Sequence, residues 1–257
     1  MNLKSKIALA ILALTAGSAA MAQVSYNIGA VSDYRVRGIA QTANQPSVQG
    51  GVDYAHSSGL YVGAWAASNV KWIKDFNQST KGDYEIDLYG GYKAEIMPGL
   101  SYDVGFITYQ YPGNNSGDAD TPGAGAFSNA STKEVYGALT YKMATLKYSH
   151  SLGDFLGNLN SNGSRYLDLS ATFDLGSGYT LVPHVGRQTI PNQSSATKVG
   201  NAADYNDVAL TLNKDFGGGI TGLVSAQSTD AEQNFYTDVN GRFLGKSVLL
   251  VGVKYTF

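Results

Sequence analysis

The chain has no cysteine in its 257 residues. Disulfide-stapled small folds and thiolate metal centres are thereby excluded. Histidine is almost as scarce, with only His56, His150 and His184, too scattered for a zinc site. Asp118-Ala119-Asp120 and the stretch 201–207 carry oxygen ligands, but neither matches a calcium loop with its closing glutamate. No metal and no cofactor is expected. Charged residues make up 15% of the chain, against roughly 25% in soluble domains. Long apolar runs are missing too. Beyond the first residues the longest is Val248–Val253, whereas a transmembrane helix needs about 20 residues. A helical membrane protein is excluded.

What is present starts with a secretory layout. Lys4 and Lys6 precede the apolar stretch 7–14, and Ala20-Met21-Ala22 offers small residues at the cleavage positions. Residues 1–22 are expected to be a signal peptide and 23–257 the mature protein. Loss of the two lysines takes the formal charge from −2 to −4, too mild for a nucleic-acid partner.

The mature chain alternates with a period of two, as half-buried strands do. In 84–93, Tyr84, Ile86, Leu88, Gly90 and Tyr92 oppose Glu85, Asp87, Tyr89, Gly91 and Lys93. In 100–110, Leu100, Tyr102, Val104 and Phe106 oppose Ser101, Asp103 and Gly105. The segments 134–142 and 249–257 read the same way, and no apolar face carries a charge. A charge facing lipid at mid-membrane costs about 2–4 kcal/mol, so clean faces favour lipid over a water-soluble core. Eighteen tyrosines and thirty-one glycines fit an aromatic girdle and tight turns.

Twelve strands are expected, near 24–34, 46–55, 60–69, 82–93, 99–111, 133–142, 145–152, 164–173, 179–188, 204–213, 219–227 and 246–257. Facing is ambiguous in the third, seventh and eleventh. Pro183 in the ninth predicts a bulge or a locally unpaired place. Short links at 56–59, 94–98, 143–144, 174–178 and 215–218 alternate with long ones near 35–45, 70–81, 112–132, 153–163, 189–203 and 228–245. Transmembrane barrels segregate periplasmic turns from long outer loops in this way. The long links are rich in Gly, Asn, Asp and Ser and are expected to be hydrated rather than packed. The fold class expected is all-β, a transmembrane antiparallel up-and-down barrel with both termini periplasmic.

The segment Ser32-Asp33-Tyr34-Arg35-Val36-Arg37-Gly38-Ile39, with Gln41-Thr42 and 46–54 after it, resembles the opening of the TorF-type family of outer-membrane porins. Ser58–Trp65 and Ser68-Asn69-Val70 continue the pattern. The resemblance implies a bacterial outer-membrane, porin-like protein. It brings no substrate and no catalytic residue. A terminal Phe257 with Tyr255 is, by resemblance to barrels of this class, the signal that barrel-assembly machinery reads.

Parity places polar residues inward. The pore-lining candidates are Asp33, Arg35, Arg37, Gln49, Asp53, Glu85, Asp87, Asp103, Glu134, Lys142, Asp168, Asp207 and Lys254. Arg35 and Arg37, facing carboxylates on other strands, would set a field across the pore, or pair with them and plug it. The link 112–132 is the longest and, folded inward, would bring Asp118 and Asp120 to a constriction. Tyr148-Ser149-His150-Ser151 suggests a serine–histidine site, but adjacent strand residues face opposite ways. No enzyme is expected. The expected role is a narrow channel for passive diffusion of small hydrophilic solutes or ions. A non-conducting structural or adhesive barrel is the alternative, with lipid and lipopolysaccharide as its surroundings.

Overall fold

The computed structural model describes residues 23–257. The leader expected at 1–22 lies outside them. β1 (Gln23–Val31) leads into a small hairpin, β2 (Arg35–Val36) and β3 (Ile39–Ala40). The wall continues with β4 (Ser47–Ala55) and β5 (Leu60–Ser68), and then a one-turn helix, α1 (Trp72–Asp75). There follow β6 (Tyr84–Met97), β7 (Leu100–Gln110), β8 (Thr132–Tyr141), β9 (Ala144–Ser151) and β10 (Arg165–Ala171). The last are β11 (Phe173–Gly176), β12 (Tyr179–Thr189), β13 (Tyr205–Gly217), β14 (Ile220–Thr229) and β15 (Val248–Thr256).

Every neighbouring pair in the wall is antiparallel, and β15 closes on β1. β10 and β11 form one interrupted strand alongside β12, so the closed barrel has twelve staves. The interruption at Thr172 lies across from Val182 and Pro183. The register runs unchanged from Ser170–His184 to Phe173–Leu181. Proline has no N–H for the ladder, so the pairing lapses without a bulge. On its other side Thr172 continues the β9 register, donating its amide to the Met143 carbonyl at 2.9 Å.

The turns 56–59, 98–99, 142–143, 177–178 and 218–219 share one end of the barrel with both ends of the described chain, and the six long links share the other. Ser177 (φ 51°) with Gly178, and Gly218 with Gly219, supply the paired positive φ values that tight hairpins need.

The outer face is apolar all the way round. Ile28, Val52, Val104, Leu139, Leu169 and Val251 are exposed at outward positions on six different staves. Water-soluble monomers confine exposed apolar patches to a few hundred Å², so a face that encircles the barrel is suited to lipid. The structure also fixes the three ambiguous strands. β5 turns Tyr61 and Ala67 inward, β9 turns Ser149 and Ser151 inward, and β14 does so with Thr221, Leu223 and Ser225. Small residues on both faces of β5, and a buried inward leucine in β14, hid the parity.

Aromatic rings collect at the short-turn end. Tyr26, Tyr54, Tyr141, Tyr179 and Tyr255 are exposed there. Phe257 stacks on Tyr26 with centroids 5.7 Å apart and on Tyr255 at 5.2 Å. Its backbone exchanges two 3.0 Å hydrogen bonds with Tyr26 across the closing seam. Phe257→Ala keeps those backbone bonds and loses only the stacking, which is worth roughly 0.5–1.5 kcal/mol beyond area. Urea unfolding in lipid vesicles should show a loss of about that size. Removal of residue 257 altogether, which also deletes the two seam bonds, should cost more.

Candidate functional site

The lumen is built from rows of inward residues that the ladder brings side by side. One row runs Asp53, Gly63, Tyr89 across β4, β5 and β6. The Tyr89 ring lies flat over Gly63, where a Cβ would sit 2.5 Å from the ring. Its hydroxyl then donates to Asp53 Oδ1 at 2.5 Å. A second row runs Tyr61, Gly91, Gly105, Tyr136 across β5 to β8. The two tyrosines reach toward each other over the glycines and their hydroxyls meet, with Tyr61 also donating to Asp103 Oδ1 at 2.6 Å. In both rows a glycine on the intervening strand lets a ring cross one strand to a partner on the next.

One row nearer the short turns, register aligns Lys93, Asp103, Ala138, Lys147, Asp168, Gly186 and Asp207. Lys147 Nζ stands 3.9 Å from the centroid of Tyr136. His184 lies between two carboxylates, with Nδ1 2.9 Å from Asp168 and Nε2 2.8 Å from Asp207. Tyr166 crosses Gly186 and donates to Asp207 Oδ2 at 2.9 Å. Asp53, Lys93, Lys147 and Lys254 remain half-buried.

The outer mouth is closed by a cap. Its buried apolar cluster takes a side chain from each of the six long links, among them Ile39, Trp72, Tyr111, Phe155, Ile190 and Leu244. This corrects the expectation of hydrated loops. Each link brings only one to three of these apolar residues, so no one link looks packed, but together they make a core. A cavity of about 40 Å³ remains between cap and hairpin, lined by Arg37, Trp72, Phe155 and Tyr236. At the cap's surface, hydroxyl bonds from Ser195 and Thr197 hold the half-buried Glu232 carboxyl below its ordinary pKa.

Beneath the cap sits the β2–β3 hairpin. Asp33, Arg35 and Arg37 do not continue the first strand, which ends at Val31. Gly38 (φ 80°), with Arg37 before it at φ 50°, turns the chain back on itself and into the mouth. Arg35 braces the hairpin internally, with Nε 2.6 Å from Asp33 and Nη atoms donating to the Gly38 carbonyl, the Lys246 carbonyl and Asn44 Oδ1. Arg37 reaches the far wall. Its Nη2 lies 2.6 Å from Glu134 Oε2 and its Nη1 donates to Gln188 Oε1 at 2.8 Å. Glu85, on the neighbouring wall, accepts from the Tyr34 hydroxyl at 3.1 Å, and Asp87 is buried two residues along.

Of the other sequence candidates, Gln49 is inward and half-buried on β4. Lys142 is corrected: it occupies the 142–143 turn at φ 52°, exposed, with Nζ 5.2 Å from the Tyr141 ring centroid. The link 111–131 lies in the cap, where Ser128 bonds Gly157 and Phe127 meets Phe76. Asp120 is exposed and Asp118 sits in a turn against Asn115, so the hairpin, not these residues, narrows the mouth. His150 contacts the Tyr148 hydroxyl at 3.3 Å, while Ser149 and Ser151 are buried on the opposite parity. Among the described residues no group of three or more metal-ligating side chains is gathered. Sequence reading missed Tyr61, Tyr89, Tyr136 and Tyr166. Their signal is an inward tyrosine beside a strand with an inward glycine, which becomes visible only once register is known.

A family model described as "Bacterial protein of unknown function (Gcw_chp)" matches residues 15–257. No curated protein sequence matches the chain. The fold is similar to solved outer-membrane barrels. The NanC porin aligns with TM-score 0.54 and 12% identity, covering 91% of this chain and 99% of NanC. The KdgM porin, solved in complex with disordered oligogalacturonate, aligns with TM-score 0.52 and 9% identity, covering 92% of this chain and 99% of KdgM.

Filling the glycine beneath a tyrosine should unseat it. Gly63→Val is expected to destabilise the barrel by about 1–3 kcal/mol, the usual range for overpacking. Tyr89→Ala in the same chain should recover part of that loss in urea unfolding. Additive losses in the double variant would show that the two positions do not share space.

Proposed function

The chain belongs to the Gcw_chp family, and we propose that it is a narrow outer-membrane porin for passive diffusion of small hydrophilic solutes or ions. One observation carries this reading. The interior of the barrel is lined with ionisable and polar groups, and its tyrosines lie flat along the wall over glycines. Eight staves are filled by their own side chains, whereas twelve enclose more room. Rings held against the wall keep that room from being filled. Half-buried Asp53, Lys93, Lys147 and Lys254 face water on the short-turn side. The similarity of fold to the KdgM and NanC porins supports the reading, as does the resemblance of residues 32–70 to TorF-type porins. Outer-membrane residence, with short turns on the periplasmic side, is part of this reading and is supported by the apolar belt and the segregated loop lengths. Export by the leader, assembly through Tyr255 and Phe257, and contact of the cap with lipopolysaccharide belong to the same proposal.

The cap favours a second reading, a barrel that does not conduct. Six loops with a shared buried core and a buried Arg37–Glu134 pair close the mouth. The two readings join if the channel conducts only when the hairpin leaves. Catalysis finds no support. Both ring nitrogens of His184 face carboxylates, and the His56–Ser58 contact of 2.8 Å sits in an exposed turn.

Tyr34 and Gln41 are already joined by a 2.8 Å backbone hydrogen bond, so residues 35–40 can be removed with little rearrangement of the ends. In planar bilayers the intact protein should show rare small steps, and the deletion variant frequent larger ones. Deletion of 114–128 should change step size far less, because that link lies in the cap. Absence of steps in every folded variant would defeat the porin reading.

A further inference from the structure

The site that Arg37 fills is shaped for a guanidinium. Glu134 Oε2 and Gln188 Oε1 accept from two different nitrogens of its planar head. The Tyr166 ring centroid lies 4.5 Å from the guanidinium carbon and that of Phe155 5.2 Å. Arg37 and Glu134 side chains are 9% and 1% exposed. Two aligned acceptors and two aromatic faces are what a desolvated planar cation requires. Three of the four groups stand on wall strands: Glu134 on β8, Tyr166 on β10 and Gln188 on β12. The receptor thus belongs to the barrel, while its occupant is delivered by a loop.

Two further observations show that the occupant is held in place and that the site is short of donors. Arg37 adopts φ 50°, which a side chain with a Cβ rarely takes, and a Cβ on Gly38 behind it would collide with Thr229 and crowd Asp207. Meanwhile Glu134 Oε1, Glu85 Oε2 and Asp87 Oδ1 are buried without a hydrogen-bond partner. Of the three carboxylates, Glu134 pairs with Arg37, while Glu85 accepts from the Tyr34 hydroxyl. Once the hairpin withdraws, Glu134 loses its guanidinium partner. Buried carboxylates left in that state demand a cation with N–H donors.

We propose that the Glu134–Gln188–Tyr166–Phe155 pocket is a binding site for small solutes carrying a guanidinium or a primary ammonium, with Arg37 as its tethered occupant in the closed state. This rests on the porin reading and names the solute class of the same lumen. A free cation of this kind competes with Arg37 for the wall, so the solute that fits the pocket also favours withdrawal of the hairpin.

The test uses the full-length mature barrel, refolded, with folding checked by circular dichroism. Guanidinium chloride is the probe and tetramethylammonium chloride, an equal charge without N–H donors, is the comparison. Arg37→Ala should conduct in potassium chloride with cation selectivity. Guanidinium should reduce its step conductance at a concentration about tenfold or more below that needed for tetramethylammonium, about 1.4 kcal/mol of discrimination. Addition of Glu134→Gln should abolish the difference. Equal effects of the two cations, discrimination that survives in Arg37→Ala/Glu134→Gln, or anion selectivity in Arg37→Ala would each overturn the site while leaving the channel intact. If no variant conducts, the porin reading falls. The pocket is then judged by thermal unfolding in micelles, where guanidinium must raise the midpoint of Arg37→Ala above that in tetramethylammonium, and an equal midpoint would overturn it.

Discussion

Inward carboxylates on a twelve-stranded wall must find donors without bridging the lumen, and the tyrosine laid over a glycine meets that constraint. Asp53, Asp103 and Asp207 each accept a hydroxyl from a tyrosine two staves away in the wall. The ring can make the crossing only because Gly63, Gly91 and Gly186 carry no Cβ. Polar satisfaction therefore runs along the wall rather than across the barrel. Had these acids been paired by long lysines from the opposite side, the interior would have been threaded with side chains. The facing of β5 and the placing of Lys147 over Tyr136 rest on these rows.

The mouth solves the opposite problem. There the hairpin carries its own charge across the gap, and Arg37 meets Glu134 where both are out of water. Removing one member of such a pair is costly because the other remains buried and unpaired. The cap core shields this pair, with Phe155 contributing both to the core and to the face on which Arg37 rests. Closure is thus one cooperative assembly of hairpin, cap and wall, and its contacts cannot be released one at a time without leaving polar groups unsatisfied.

Much of the wall was legible in the sequence because lipid is an intolerant neighbour. Leu88, Val104, Leu139 and Val251 had to alternate with polar residues, and each segment could be phased from its own letters. Loop lengths added the orientation. Pro183 foretold the lapse at Thr172 because a missing N–H is a local fact. The rest depended on distance. Arg35 and Arg37 continue the strand's parity, and nothing local shows that the chain bends inward after Val31. Lys142 has the right parity too, but φ 52° in a two-residue turn takes it out of the ladder. The cap core collects one to three buried apolar residues from each link, a pattern that no single link displays. Tyr61 and Gly91 lie thirty positions apart and mean something only once register joins them.

A core shared among all six outer loops has a bearing on how this surface drifts. Outer loops of barrels are usually free to vary independently, since each is rooted only in its own hairpin. Here Trp72, Phe155 and Leu244 answer to one another, so a change in one link is felt in the others. Freedom is left to positions that look outward, such as Val199, Val239 and Asp120. The capped face would thus keep a stable relief and vary only in its fine texture.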